Sequence, residues 1–275
     1  MPELPEVETV RRTLAPALGA TIASAWDSGM GLHMARKPPR ARLKALVGAT
    51  ITKLRRHGKY LLIDTDTDKT LLVHLGMTGR LLVVPAIAPR AAHTHVVLGL
   101  GARELRFTDA RRFGQIDVLD RADERSHEGL AVLGVDGLVG DWGGDYLFAA
   151  SRKKKNSLLK AFVLDQSVIA GVGNIYASEA LWRAKLRPSA RAGKLTAKSA
   201  AALAAAIREV FERALTKGGT SLRDFVAADG REGKNAHYLW VYDREGAPCP
   251  RCKAKIRRTV HQGRATYYCP TCQAR

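Results

Sequence analysis

Between residues 49 and 120 the apolar residues come in short runs divided by turn residues: "ATITKL" (49–54), "KYLLIDT" (59–65), "TLLVHLG" (70–76), "RLLVV" (80–84), "THVVLGL" (94–100), "ELRFTD" (104–109) and "QIDVLD" (115–120). Seven short strands at this spacing predict an antiparallel sandwich or barrel. Ahead of them the period changes. Val7, Val10 and Leu14 recur on one helical face, Pro5 suits a first helical turn, and Pro16 and Gly19 end the segment. Beyond residue 120 the chain becomes charged and then glycine-rich, which reads as a hinge. Three helices follow: about 157–165, from "GVGN" to about 184, and a long one after Thr196, its expected N-cap, that stops near Gly218. A loop over about 218–237 leads to a short β-like tail. The pattern divides the chain into 1–125, a hinge at 126–150, a helical region at 151–237 and a tail at 238–275.

All four cysteines lie in that tail. Cys249, Cys252, Cys269 and Cys272 form C-x2-C-x16-C-x2-C, the spacing of a closed four-thiolate zinc site on a hairpin. With no position left open, such a zinc is structural. From Cys249 onward there are seven Lys or Arg and no Asp or Glu, so the hairpin presents cations, for which phosphate is the natural partner.

The whole chain carries a net charge of +19 over 275 residues. Self-repulsion of that size points to a polyanionic partner, with nucleic acid ahead of a membrane surface. No apolar run approaches the 18 residues of a spanning helix, and the acidic start "MPELPEVE" lacks the basic and apolar regions of a signal peptide. The expected location is cytoplasmic. "AGVGNIY" has part of a dinucleotide fingerprint, but Tyr176 stands where a small residue is needed and no βαβ pattern surrounds it. The better reading is a tight turn with Asn174 as N-cap of the next helix, a place where free N–H groups can meet phosphate. The upstream run Arg152, Lys153, Lys154, Lys155 and Lys160 reads either as a solvated face or as further DNA contact.

Several motifs in order, "MPELPEVE", "HGKYL", "HLGMTG", "FTDARRFG", "DQSVIAGVGNIYASEAL", "GGTSLRDFVAADG" and the terminal "CPTCQ", resemble the formamidopyrimidine-DNA glycosylases, bacterial enzymes that repair oxidised guanine. The resemblance spans the whole length. It implies a multidomain α+β fold: an N-terminal catalytic β-sandwich with its leading helix, then a helix–two-turn–helix DNA-binding domain with a lesion-capping loop, and a zinc finger. It implies removal of Met1, which the small Pro2 favours. The freed Pro2 secondary amine then attacks C1′ of a damaged nucleotide, and the resulting iminium drives strand cleavage. Burial and Lys59 would lower the pKa of that amine, and the glutamates would raise it. Glu3 matches the acid that protonates the opening sugar ring. Glu6 is either an orienting group or an acidic first-turn residue on the helix dipole. Lys59 matches the lysine of β-elimination, and Arg264 the arginine of the second elimination. His93, Arg111 and Lys155, with His74, match DNA-contact positions, and Asn174 joins them as the expected phosphate-facing N-cap. Met77, Arg111 and Phe113 match the residues that fill the gap left by an everted base. Thr220–Phe225 matches the loop that closes over an extruded 8-oxoguanine. The implied partner is duplex DNA carrying oxidised purines, met by a monomer with one zinc. Two alternatives stand: an endonuclease VIII-type enzyme for oxidised pyrimidines, and a zinc-finger protein that binds damaged DNA without chemistry.

Overall fold

The computed structural model describes residues 2–32, 40–222 and 224–274. They divide into two compact units. One holds the chain through Ala131 together with Lys217–Ala236, and the other holds Val132–Thr216 and the chain from His237.

The first unit opens with α1 (Leu4–Thr13), whose Val7 and Val10 are fully buried. After β1 (Ser24–Asp27) and α2 (Arg40–Lys44) come β2 (Ile51–His57), β3 (Tyr60–Thr65), β4 (Lys69–His74), β5 (Arg80–Pro85), β6 (Thr94–Leu100), β7 (Arg103–Thr108) and β8 (Gln115–Asp120). All seven expected strands form. The eighth, β1, pairs with β6 and is too short to carry a period of its own. The strands make two four-stranded antiparallel sheets, ordered β1-β6-β7-β5 and β2-β3-β4-β8. Leu61, Ile63, Leu71 and Val73 of one sheet share a core with Val96, Leu98, Leu105 and Phe107 of the other, and with Val7, Val10 and Leu14. On its other face the second sheet buries Leu62, Leu72 and Leu119, with Tyr60 and Leu130 packed against them. Its central strands therefore read as unbroken apolar runs. A short α3 (Glu128–Ala131) closes this unit.

Lys217–Ala236, which the sequence groups with the helices, is tied to the sandwich. Ala228 N–H donates to Thr13 Oγ1 at 2.9 Å, and Val83 N–H donates to the Ala228 carbonyl at 3.0 Å. Phe225 and Ala228 enter the sandwich core.

In the second unit β9 (Val135–Asp136) pairs in parallel with β10 (Ile169–Ala170), among α4 (Gly144–Lys153), α5 (Leu159–Leu164), α6 (Asn174–Arg183) and α7 (Ala197–Thr216). Thr196 caps α7 as expected, its hydroxyl accepting Ser199 N–H at 3.2 Å. Buried Leu203, Ile207 and Phe211 line one face of α7, with the Phe211 ring edge-on to Tyr176 at 5.4 Å. The tail folds as β11 (Arg257–His261) and β12 (Arg264–Tyr268), joined by Gln262 and Gly263. Both have positive φ (49° and 71°), as a two-residue type I′ hairpin requires.

Candidate active site

The start of α1 is enclosed in the first unit. Pro2 is buried, and Glu3 and Glu6 are 2% and 1% exposed. Glu3 is the residue that caps α1, so the helix begins at Leu4 and Pro5 is its second residue. The Glu6 carboxylate accepts Glu3 N–H at 2.9 Å on one oxygen and Thr220 N–H at 2.7 Å on the other. It thus joins the first residues to a segment more than two hundred residues away. The bond to Glu3 N–H is half of a capping box at the helix start, and the bond to Thr220 is additional to any first-turn role. Met1 lies outside the described residues.

Lys59 lies not in a strand but in the two-residue turn between β2 and β3, where His57 pairs with Tyr60. It is 8% exposed. An ionic brace carries its turn. Arg56, its side chain 3% exposed, donates to Glu8 at 3.1 Å and to the Gly58 carbonyl at 3.1 Å. Glu8 also accepts from Arg11 and Arg12. Burial pushes the Glu8 carboxyl up, but these guanidinium bonds and the Arg56 charge outweigh it and hold the pKa at about 2. The helix that follows Pro2 and the turn that carries Lys59 are therefore fixed to each other through Glu8 and Arg56. Neither residue stands out in the sequence as part of a site. The only available signal was an odd one, a third glutamate on a helix facing apolar core.

His74 ends β4 opposite Tyr60, the rings 4.8 Å apart. Burial, and then the Lys59 charge, push its imidazole down to about 4, so it is neutral at pH 7. Its Nδ1 accepts Gly76 N–H at 3.2 Å. With Nδ1 accepting, the proton of the neutral ring sits on Nε2. Met77 stands on the β4–β5 turn, 37% exposed. Arg111 and Phe113 lie on the β7–β8 loop, the guanidinium 4.5 Å from the ring centre. His93 is exposed on the turn before β6 with φ of 60°. Of the capping loop Thr220–Phe225, Thr220 and Phe225 are buried and Leu222 is exposed, and Arg223 lies outside the described residues.

In the second unit Asn174 is not the N-cap. Gly173 holds that place, and Asn174 is the first residue of α6. The glycine leaves the helix end uncovered by a side chain. Asn174 donates instead to the Ala265 carbonyl of the hairpin at 2.9 Å, and its Oδ1 is buried without a partner. The upstream basic run is not one DNA-facing stripe. Arg152 donates to the Gly193 carbonyl at 2.6 Å, Lys154 pairs with Asp165, and Lys160 is 1% exposed with its Nζ on Ser178 Oγ (2.6 Å) and the Asn174 carbonyl (3.1 Å). Lys153 and Lys155 remain exposed, as does Arg264 beside the hairpin turn.

The four cysteine sulfurs lie within 4.8 Å of one another. Ligands about 2.3 Å from a tetrahedral zinc stand roughly 3.8 Å apart, so the set fits one ion with no position left over. Trp182 Nε1 donates to Cys249 Sγ at 3.4 Å, the outer hydrogen bond expected of a thiolate ligand.

Residues 1–116 match the family model of the formamidopyrimidine-DNA glycosylase N-terminal domain, 133–226 that of its H2TH domain, and 246–275 that of the zinc finger found in FPG and IleRS. The chain belongs to the formamidopyrimidine-DNA glycosylase family. A family member from Jannaschia sp. is 47% identical over 99% of this chain and 100% of its own length. Wild-type Lactococcus lactis Fpg (MutM), solved with DNA containing N7-benzyl-Fapy-dG, superposes with a TM-score of 0.90 at 32% identity, covering 100% of both chains. The same protein with oxidised-pyrimidine DNA gives 0.90 at 33%, again over 100% of both. Family membership makes this chain a base-excision repair glycosylase with abasic-site lyase activity and one structural zinc. No helix among the described residues is long and apolar enough to cross a membrane.

Proposed function

We propose that the chain excises oxidised purines, 8-oxoguanine and formamidopyrimidines, from duplex DNA through the amine of Pro2, and cuts the abasic strand by β,δ-elimination. The observation that carries this reading is the enclosure of the chain's first residues. A terminus is ordinarily frayed, yet Pro2, Glu3 and Glu6 are buried, and Glu6 binds two backbone N–H groups there. Once Met1 is removed, burial favours the neutral, nucleophilic form of the Pro2 amine. Its lone pair forms a bond to C1′, the glycosidic bond breaks, the base leaves with that electron pair and a proton from solvent, and the proton displaced from the amine nitrogen passes to Glu3. Glu3 gives a proton to O4′ as the sugar ring opens to the iminium. Loss of the C2′ proton, assisted by Lys59, expels the 3′ phosphate; Arg264 assists the second elimination. Met77, Arg111 and Phe113 fill the vacated stack, and Thr220–Phe225 closes over the extruded base. His93, Lys155, Asn174 and His74 contact the strand, and the zinc hairpin delivers Arg264. The protein works as a monomer in the cytoplasm, on nucleoid DNA.

Borohydride with an 8-oxoguanine duplex tests this. The iminium is reduced to a permanent cross-link that maps to Pro2, and Pro2→Gly cleaves far more slowly than wild type. No cross-link, or a Pro2→Gly variant as fast as wild type, sinks the Pro2 mechanism. A second reading, excision of oxidised pyrimidines, draws support from the oxidised-pyrimidine DNA held by the Lactococcus relative. Single-turnover rates on matched purine and pyrimidine lesions rank the two.

A further inference from the structure

Asp109 is completely buried at the end of β7, yet it belongs to no ion pair among the described residues. Its carboxylate is bonded to two loops. One oxygen accepts the Thr78 hydroxyl and Arg111 N–H (3.2 Å), and the other accepts Gly114 N–H at 2.7 Å. Thr78 Oγ1 in turn accepts from Arg111 N–H at 3.2 Å. The backbone of Asp109 reaches a third loop. Its N–H donates to the His93 carbonyl at 3.0 Å, and its carbonyl lies 2.9 Å from His95 Nε2. Below these bonds the loops touch backbone to backbone. A Cβ on Gly76 would stand 2.5 Å from the Phe113 carbonyl carbon and 2.6 Å from Gly114 N, so only glycine permits this approach.

We propose that Asp109 is a positioning residue that clasps the Met77 turn, the Arg111–Phe113 loop and the His93 turn into one rigid wedge. The proposal rests on the reading that Met77, Arg111 and Phe113 enter the duplex. Unstacking a base step costs a few kcal/mol, and loops that must first be ordered lose part of that in conformational entropy. A carboxylate accepting from both loops sets their spacing before DNA arrives. A carboxylate suits this place because it offers acceptors only; an amide of the same shape turns a donor toward an N–H or O–H that needs an acceptor.

The test separates base eversion from chemistry. Asp109→Asn slows excision of 8-oxoguanine from duplex DNA roughly 10- to 100-fold, the size of a lost charged hydrogen bond. The fluorescence rise of 2-aminopurine beside the lesion, which reports insertion, slows by the same factor. Cleavage of a single-stranded abasic oligonucleotide, which requires no eversion, stays within about twofold of wild type. Phe113→Ala also slows excision and the fluorescence rise, and adding Asp109→Asn to it slows excision little further, since the two act in one step. Gly76→Ala, which forces the loops apart with Asp109 intact, repeats the pattern and serves if Asp109→Asn fails to fold. Three results overturn the proposal. Asp109→Asn and Gly76→Ala excising like wild type while Phe113→Ala is slow removes the clasp and keeps the wedge. Equal loss on duplex and single-stranded substrates makes Asp109 a general structural residue. Wild-type excision and fluorescence in both Met77→Ala and Phe113→Ala remove the wedge and the clasp together.

Discussion

The candidate catalytic groups of one unit and the candidate phosphate contacts of the other are placed differently. In the N-terminal unit Glu3, Glu6, Lys59 and Asp109 are all under 9% exposed, and Glu6 and Asp109 are bonded to the protein's own backbone. In the C-terminal unit Lys155 and Arg264 stand in solvent, and the buried Asn174 Oδ1 and His261 Nδ1 have no partner. The difference matches two tasks. Chemistry at a sugar carbon calls for groups already desolvated and fixed where charge develops. Phosphate gripping calls for cations on a firm scaffold whose partner arrives with the DNA. The scaffold differs too: a sandwich core in one unit, a helical core and a four-cysteine hairpin in the other.

Removing zinc should break this contrast most sharply. The cluster of Trp182, Val241, Ile256 and Tyr267 packs around Cys249 and Cys269, and a structural zinc contributes on the order of 10 kcal/mol to such a small motif. Chelation, or Cys269→Ser, should unfold the hairpin and abolish tight duplex binding. On the proposed roles, β-elimination at a single-stranded abasic site, assigned to Pro2 and Lys59, should persist, while the second elimination assigned to Arg264 should be lost. Circular dichroism of the β-sandwich checks the division: its melting should be unchanged.

The next effect belongs to the N-terminal unit alone. Glu8 has an ordinary value of 4.5 and a folded pKa of about 2. A depressed carboxylate adds stability that is fully present above 4.5 and is lost as pH falls toward 2. At 1.36 kcal/mol per unit this is about 3 kcal/mol. Glu8→Gln should be less stable than wild type by roughly that amount at pH 7, with the gap closing between pH 4.5 and 2. Denaturant melts at several pH values measure it; a gap independent of pH would refute the brace.

How much of this could be read from residues alone depends on range. The seven strands from β2 to β8 were legible because each carries its own apolar pattern, and the zinc site because four cysteines at fixed spacing leave few choices. The helix α4 was not. "WGGDY" reads as a hinge, yet Gly144 begins a helix, and there a Cβ would stand 2.6 Å from Ala201 Cα. The glycine is a site of close helix contact rather than of flexibility. Asn174 misled in the other direction: a good capping residue follows a glycine that takes the cap itself. The bonds of Glu6 to Thr220, and of Asp109 to Thr78 and Gly114, join residues whose types are unremarkable where they stand. Such long-range polar pairing has no local period to announce it. The motifs that resemble a known family marked the stretches; only the fold shows which member of each stretch holds the others.

A smaller loss is expected at Glu6. Glutamine there keeps one acceptor oxygen but turns an amide N–H toward either Glu3 N–H or Thr220 N–H. The cost is about 2 kcal/mol, that of one charged hydrogen bond with its donor left buried. Because the two donors lie at the ends of one link, hydrogen exchange should quicken at both Glu3 and Thr220 amides. Exchange confined to one of them would mean that the helix start and the 217–236 segment are held independently.

The smallest effect reads the electrostatics directly. Burial is the larger cause of the low His74 pKa and Lys59 the second. Lys59→Gln removes only the second, so the imidazole should titrate above its present value of about 4 while staying below the ordinary 6.5. The sign follows for stability as well. A histidine held neutral in the fold but free to protonate when unfolded costs stability as pH falls from 6.5 toward 4, and Lys59→Gln should narrow that window. Imidazole chemical shifts followed by NMR over pH 3 to 8, a range of about five units around these values, decide it. An unmoved His74 would place the Lys59 ammonium out of reach of this ring, and with it the reading that the turn after β2 delivers its charge into the enclosed side of the sandwich.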